Sequence, residues 1–236
     1  MIIQHSHWSR AHLVESVKFL AKAGTGTGMD FHEYGTYRGE SLQLIENLFY
    51  AYQIPVRKGF GFDSFQGLPE EEPGVPHSPH FARGALGDVT FLWPTRQSTY
   101  IKGWFNNLSG EDISRHDMRP VCLVHIDSDL YVSARQALDF LFGHHLVGPG
   151  SVVAYDEFKS TPSILEGGES RAHREIARKH RVRFREFFRN IYHDRLDTTD
   201  QPMEWWQNAF VIEEIGEEAH DGICQEKNDG SGAVCG

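Results

Sequence analysis

The strongest constraint on the fold of this chain is the alternation of short apolar runs with segments whose apolar residues recur at helical spacing. The strand-like runs are residues 29–34, 59–62, 99–101, 121–126 and 151–155. Alternation of this kind is typical of a parallel sheet covered by helices on both faces. The pattern therefore predicts a doubly wound α/β domain.

The remaining segments complete the predicted element order. We expect helices at 10–23, 41–51, near 88–92, near 111 and at 133–142, then a basic helix at 171–180 and strands at 182–188 and 209–215. Residues 1–28 are expected to hold an N-terminal helix and linker, and 29–216 a single domain. The polar residues 217–236 are expected to form a weakly ordered tail.

Composition limits the partners. The 236 residues include 23 basic and 33 acidic ones, a formal net charge of −10, which argues against nucleic acid. The chain lacks a signal-peptide pattern at its start and an apolar run near the roughly 20 residues of a membrane span. We therefore expect a cytoplasmic protein with no membrane partner, and a homo-oligomer is compatible with the sequence.

The first two predicted strands are followed by residues suited to a ligand. Glu33 closes the first strand, and Gly35 and Gly39 lead into the helix at Ser41, where small residues let a ligand approach the backbone. Asp63 ends the second strand, where an acid can accept both hydroxyls of a ribose. The alternatives are an unliganded βα turn and a solvated turn aspartate.

Acidic residues follow the fourth and fifth predicted strands. Asp127 and Asp129 follow the fourth, and Asp156 and Glu157 follow the fifth. Neighbouring strand ends bring these carboxylates together, where they would repel one another unless a hard divalent cation binds them. Oxygen-only ligands favour magnesium, with manganese or calcium as possible substitutes. The alternative is that the acids cap helices or pair with arginine.

Taken together, these residues resemble the macrocin O-methyltransferase (TylF-type) family of metal-dependent class I methyltransferases. The resemblance covers about residues 33–172, and its motifs occur in family order. They are the 33–41 turn, Asp-Ser-Phe-x-Gly-Leu-Pro at 63–69, Lys-Gly-Trp-Phe at 102–105, Asp-x-Asp-Leu-Tyr at 127–131, and Pro-Gly at 149–150 before Asp156-Glu157. The resemblance implies a Rossmann-like, mostly parallel seven-stranded sheet with the last strand antiparallel.

The resemblance also implies roles. S-adenosylmethionine would be held by Glu33, Gly35 and Asp63, with Ser41 in support and Gly103 and Trp104 at the adenine; Trp104 either stacks on the adenine or fills core. The implied metal ligands are Asp127, Asp156 and Glu157, although many members have aspartate at the position of Glu157. Asp129 is the implied general base, and Glu169 and Ala172 match a Glu-x-x-Ala that has no evident physical role.

The resemblance implies methyl transfer to a hydroxyl of a small molecule, a sugar or a phenol, and the residue types are consistent with that chemistry. A hydroxyl attacks a sulfonium methyl well only when its proton is removed and the developing charge is stabilised. Two alternatives are a glycosyltransferase that holds a nucleotide sugar through its Asp-x-Asp, and a non-catalytic cofactor-binding domain. His125 is interpreted as a core histidine rather than a catalytic one. Residues 189–208 are expected to join the last two strands, and Tyr192, Trp205 and Trp206 there to form either a substrate wall or core.

Overall fold

A computed structural model describes residues 10–77, 82–160, 167–194 and 203–216. The predicted tail at 217–236 lies outside the described residues. The strands are β1 (Asp30–Tyr34), β2 (Gly59–Asp63), β3 (Ser98–Lys102), β4 (Val121–Ile126), β5 (Val152–Ser160), β6 (Val182–Asp194) and β7 (Met203–Ile215). The helices are α1 (Ala11–Ala23), α2 (Glu40–Ala51), α3 (Gly110–His116), α4 (Tyr131–Gly143) and α5 (Gly168–Lys179). None of these helices is long and apolar enough to cross a bilayer.

The strands form one seven-stranded sheet in the order β3-β2-β1-β4-β5-β7-β6. Strands β1 to β5 are parallel, and β7 runs antiparallel between β5 and β6. The predicted doubly wound, mostly parallel sheet is therefore confirmed. The strand order reverses between β1 and β4, and the crevice at such a switch point is where ligands bind in open α/β sheets.

Helix α1 packs into the core of the sheet. Its residues Leu13, Val17 and Leu20 recur at helical spacing, are fully buried, and share a cluster with Phe31 of β1 and Leu123 of β4. Burying three such side chains contributes about 1.5–3 kcal/mol each before entropic costs. The N-terminal helix expected within residues 1–28 thus belongs to the same core as the strands.

The prediction of a helix near residues 88–92 is wrong, because this stretch is irregular. Polar groups of residues 88–94 bond to the turn after β1 and to α2. The Trp93 N–H donates to the Arg38 carbonyl, the Tyr37 hydroxyl donates to Asp88, and Gln43 donates to the Pro94 carbonyl. These tertiary hydrogen bonds hold the segment against the turn after β1 and against α2.

The expectation that residues 189–208 only join the last two strands is also wrong. Strands β6 and β7 continue into this segment as a long antiparallel pair, in register as far as Asp194 opposite Met203. The aromatic and β-branched residues from 187 to 192 suit a strand better than a loop. Only residues 195–202 of the connection lie outside the described chain.

Gly35 allows the end of β1 to approach the end of β4 closely. Its φ is +90°, and a Cβ added there would collide with the backbone carbonyl of Asp127. Gly28 has a similar φ of +71°, but an added Cβ would meet nothing within 4 Å. Substituting each glycine by alanine therefore separates two costs. Both variants carry the strained backbone conformation, and only the variant at Gly35 adds the collision.

We expect Gly35→Ala to lower the free energy of unfolding by roughly 1–3 kcal/mol more than Gly28→Ala, since overpacking adds to the left-handed strain that both variants share. Urea denaturation of both variants measures this difference. Equal losses would show that β1 and β4 can separate at no cost.

Candidate active site

A cavity of about 730 Å³ opens at the carboxyl ends of the central strands, within the size range of small-molecule sites. Nine of the ten residues predicted as site residues line it. They are Gly35, Ser41, Asp63, Gly103, Trp104, Asp127, Asp129, Asp156 and Glu157. The sheet topology thus brings together residues that lie up to 122 positions apart in the sequence (157 − 35 = 122).

Asp63 is held in place at one side of this cavity. One carboxylate oxygen accepts the N–H of Tyr37 and the other accepts the N–H of Phe65, both at 2.7 Å. Each oxygen keeps a lone pair for a further donor. Burial raises the pKa of Asp63, and the hydrogen bonds from Phe65 and Tyr37 oppose that rise.

Glu33 is the predicted site residue that does not line the cavity. Its side chain is fully buried, and its Oε1 lies 2.8 Å from Nδ1 of His125 on the neighbouring strand. The carboxylate therefore points into the space between sheet and α1. Its contact with a cofactor stays a prediction, and the geometry gives it a different partner.

The four acids predicted to converge do so. Ligand oxygens from Asp127, Asp156 and Glu157 lie within 4.8 Å of one another. Strand β5 is predicted to end before its acids but continues through them. Its pairing with β7 is interrupted after Tyr155 and resumes at Lys159. The acids therefore lie in an irregular part of the strand, past the last residue that pairs with β4.

The acidic cluster carries more negative charge than its surroundings compensate. Burial, reinforced by neighbouring acids, raises the pKa of Asp127 to about 6 and that of Asp129 to about 7. The same causes raise the pKa of Glu157 well above its ordinary value. Its Oε2 is buried without a hydrogen-bond partner in the described chain. These oxygens fit a divalent cation, which would stabilise their ionised forms.

Arg10 is a site residue that sequence reasoning missed. Its Nη1 lies 3.0 Å from Oδ2 of Asp127 and 3.1 Å from Oδ2 of Asp156. Burial opposes ionisation of Asp156, but Arg10 together with His12, His125 and the Gln207 hydrogen bond outweighs it and holds the pKa of Asp156 below its usual range. Two of the four acids, Asp127 and Asp156, thus pair with an arginine, as the alternative interpretation expects. A lone arginine before a helix carries no signal of this contact.

A buried histidine pair lies beneath the acids. His12, His125 and Asp156 could together hold a metal ion by the proximity of their ligand atoms. The two Nε2 atoms lie 3.0 Å apart and the ring centroids 5.1 Å apart, so the rings point nearly end-on at one another. This is the geometry of an N–H···N hydrogen bond. Because Glu33 accepts from Nδ1 of His125, the neutral pair has His12 as donor. The interpretation of His125 as a core histidine is confirmed.

Glu169 acquires a physical role in the structure. Its fully buried carboxylate accepts the backbone N–H of Ser128 and that of Glu157, both at 3.2 Å. One side chain of α5 thereby fixes the backbone beside the acids of β4 and the acids of β5. Ala172, one turn later and also fully buried, faces the core, where a small residue lets α5 pack closely.

Glu71 was not predicted either. Its carboxylate accepts the N–H groups of Tyr131 and Val132, at 2.7 and 3.0 Å. It therefore caps the first turn of α4 from the segment after β2, in place of a local capping residue. These two bonds join the segment after β2 to the first residues of α4, directly after Asp-x-Asp-Leu.

The aromatic residues of β7 divide between two environments. Trp205 is 6% exposed and lines the cavity, whereas Trp206 packs under the cations of Lys159 and Arg189. The side chain of Tyr192 lies outside what the structure describes. Of the predicted aromatic wall, Trp205 is therefore placed at the cavity.

The sheet order and the crevice define a Rossmann-like fold of the class I methyltransferase type. The solved structures that share it include those of the calicheamicin methyltransferase CalS11 and the O-methyltransferase NovP. The first has a TM-score of 0.58 at 19% identity, over 83% of this chain and 77% of that one. The second has a TM-score of 0.56 at 18% identity, over 86% and 78%. No family model and no curated protein matches the chain.

We expect Glu169→Gln to lower the free energy of unfolding by about 1–3 kcal/mol, because the amide nitrogen would face one of two buried N–H donors. Glu175→Gln on the same helix is the matched control. Its carboxylate makes part-exposed bonds to Tyr131 and Arg171, which contribute about 0–1 kcal/mol. Denaturant titration compares the two variants, and equal losses would contradict the role given to Glu169.

Proposed function

We propose that the protein is an S-adenosylmethionine-dependent O-methyltransferase that acts on a hydroxyl of a small molecule with the help of a divalent cation. The observation that carries this proposal is that one cavity is lined both by five of the six predicted cofactor residues and by the acidic cluster. The motif resemblance to the macrocin O-methyltransferase family and the fold shared with CalS11 and NovP support it.

The proposed cofactor site lies at the carboxyl ends of β1, β2 and β3. Asp63 is fixed with free lone pairs toward the cavity, which suits the two hydroxyls of a ribose. Gly35 leaves room for the methionine part of the cofactor against the backbone, with Ser41 beside it. Gly103 and Trp104 are assigned to the adenine.

Asp129 is proposed as the general base. Its pKa of about 7, raised by burial and by Asp127, suits a group that exchanges a proton near neutral pH. Its φ of +63° is rare outside glycine. Backbone strain of this kind persists where the surroundings enforce it. Here the hydrogen bonds that Glu169 accepts from Ser128 and Glu71 accepts from Tyr131 hold the backbone on either side.

Asp127, Asp156 and Glu157 are the residues that would hold a cation, and magnesium suits their oxygen atoms. When bound, such a cation stabilises the negative charge that develops on the acceptor oxygen. The protein's own part is to align acceptor oxygen, methyl carbon and sulfur, which the closely spaced strand ends favour. Trp205, beside Asp156 and Glu157, is proposed as a wall of the acceptor site.

The two alternatives leave features of the cavity without a role. A glycosyltransferase would use Asp127 and Asp129 but not the Gly35 turn or Asp63. A non-catalytic cofactor-binding domain would not require a buried base beside three further acids. Thermal shift with S-adenosylhomocysteine, UDP-sugars and magnesium, each added separately, distinguishes a methyltransferase from a glycosyltransferase.

We expect Asp63→Ala to weaken S-adenosylmethionine binding by about 1–3 kcal/mol, the cost of leaving ribose hydroxyls unpaired. Isothermal calorimetry measures it. Asp139→Ala on the outer side of α4, where Asp139 pairs with Lys179, is the control and should leave the affinity unchanged. Undiminished affinity in Asp63→Ala would refute the ribose assignment.

We expect methyl transfer from labelled S-adenosylmethionine, assayed over a panel of phenols and sugars, to stop with a chelator and to resume with magnesium. Asp129→Asn should retain the cofactor while slowing transfer by roughly 10²–10⁴-fold. Asp127→Asn and Asp156→Asn should instead weaken magnesium binding, since a neutral amide replaces a charged ligand. Full activity after metal removal would overturn the metal role but not methyl transfer itself.

A further inference from the structure

The position of Arg10 bears on how a cation reaches the acidic cluster, an inference that rests on the metal site of the proposed function. A single nitrogen of Arg10, not its two-pronged fork, bridges the Oδ2 atoms of Asp127 and Asp156. Arginine usually binds a carboxylate through two parallel bonds. Here one N–H group stands between two carboxylates, where a bridging cation would also stand.

Asp156 has no second oxygen to offer a cation. Its Oδ1 accepts the side-chain amide of Gln207 at 2.6 Å and lies 3.5 Å from Nε2 of His12. Gln207 and His12 are both buried, at 1% and 0% exposure, so this side of the carboxylate is closed by protein. The oxygen left for the cavity is Oδ2, which Arg10 holds.

We infer that Arg10 and the divalent cation compete for Asp127 and Asp156, so that the cation binds only when the Arg10 guanidinium leaves Oδ2. Magnesium lies about 2.1 Å from its oxygen ligands. A cation at that distance from both Oδ2 atoms would be crowded and repelled by a guanidinium nitrogen 3.0 Å from the same atoms. The two positive groups therefore occupy this place in turn.

The backbone at Arg10 permits this exchange without unfolding. Arg10 directly precedes α1, its side chain is 31% exposed, and it lines the cavity. Its carbonyl accepts the first helical bonds, from Leu13 and Val14, and these do not depend on where the guanidinium points. The core contacts of α1 begin at His12 and Leu13. Departure of the side chain therefore requires rotamer changes only.

The charges favour the exchange. One guanidinium contacts two of the four clustered acids, and Oε2 of Glu157 stays buried without a hydrogen-bond partner among the described residues. A doubly charged ion that also takes Glu157 as ligand compensates more of this charge. Arg10 thus keeps Asp127 and Asp156 paired in the metal-free protein, which avoids the cost of buried unpaired carboxylates.

The test compares Mn²⁺ binding by the full chain and by Arg10→Met, with free Mn²⁺ followed by electron paramagnetic resonance. If the arginine-bound conformer holds about nine-tenths of the metal-free population, the variant should bind Mn²⁺ about tenfold more tightly. The matched control is Arg115→Met on the exposed face of α3, whose single ion pair with Asp112 is remote from the cluster, and it should bind as the wild type does.

A measurement on the wild type covers the case in which Arg10→Met does not fold. The Nε–H resonance of Arg10, assigned with Arg10→Lys, should shift toward that of a free guanidinium as magnesium is added. Equal or weaker Mn²⁺ binding by folded Arg10→Met, or an unmoved resonance at saturating magnesium, would overturn the competition alone. If neither protein binds Mn²⁺, the metal role fails with it, while calorimetry with S-adenosylmethionine on the same samples still tests the cofactor half.

Discussion

The concentration of negative charge at the ends of β4 and β5 is the constraint on which the rest of the site depends. Four carboxylates share a small, largely buried volume, where burial is the largest obstacle to ionisation and repulsion between the acids adds to it. Among the described residues, one guanidinium and one amide contact the Asp156 carboxylate and compensate this charge in part. The remaining charge is the basis of the proposed cation site.

The same chain uses acids in a second way, as clamps on backbone N–H groups. Glu46 accepts two successive N–H groups at the start of β3, Asp63 two from the turns beside β2, Glu71 two at the start of α4, and Glu169 two beside the acids. In each case both carboxylate oxygens are used, which makes the geometry rigid. The excess of acidic residues is therefore partly structural and not only a solvated surface.

Periodicity was sufficient to predict the sheet, because a strand buried on both faces reads as a nearly continuous apolar run, as β4 does here. Strand β1 is equally buried, although Asp30, His32 and Glu33 interrupt its apolar residues. The ends of those strands then identified most of the cavity, since parallel strands place their carboxyl ends on one edge. The predictions were wrong where tertiary bonds replace local ones. Asp88 and Trp93 bond to the turn after β1 instead of forming a helix, and β7 continues to pair beside the acids of β5.

Contacts between distant single residues could not be read from the sequence. Arg10, Glu71 and Glu169 act through bonds to positions 117, 60 and 41 residues away, and none belongs to a periodic or spaced pattern that one sequence can display. The sequence places Glu169 only in a Glu-x-x-Ala motif and does not indicate its function. Long-range polar contacts of this kind depend on how helices settle on the sheet, which follows from packing and not from local spacing.

Hydrogen-bond partners separate the structural acids of this protein from those available for chemistry. A carboxylate such as Glu169, whose two oxygens both accept backbone N–H groups, is committed to holding the chain. Glu157, on the same stretch of β5 whose backbone Glu169 holds, has an oxygen that is buried with no partner among the described residues. An unsatisfied buried oxygen costs about 1–3 kcal/mol, or more when it is charged, and a cation bound at the proposed site would offset that cost. The clamps therefore do more than support the site. By fixing the backbone they prevent Glu157 and Asp129 from turning away toward solvent, and so preserve the uncompensated charge that a ligand is needed to satisfy.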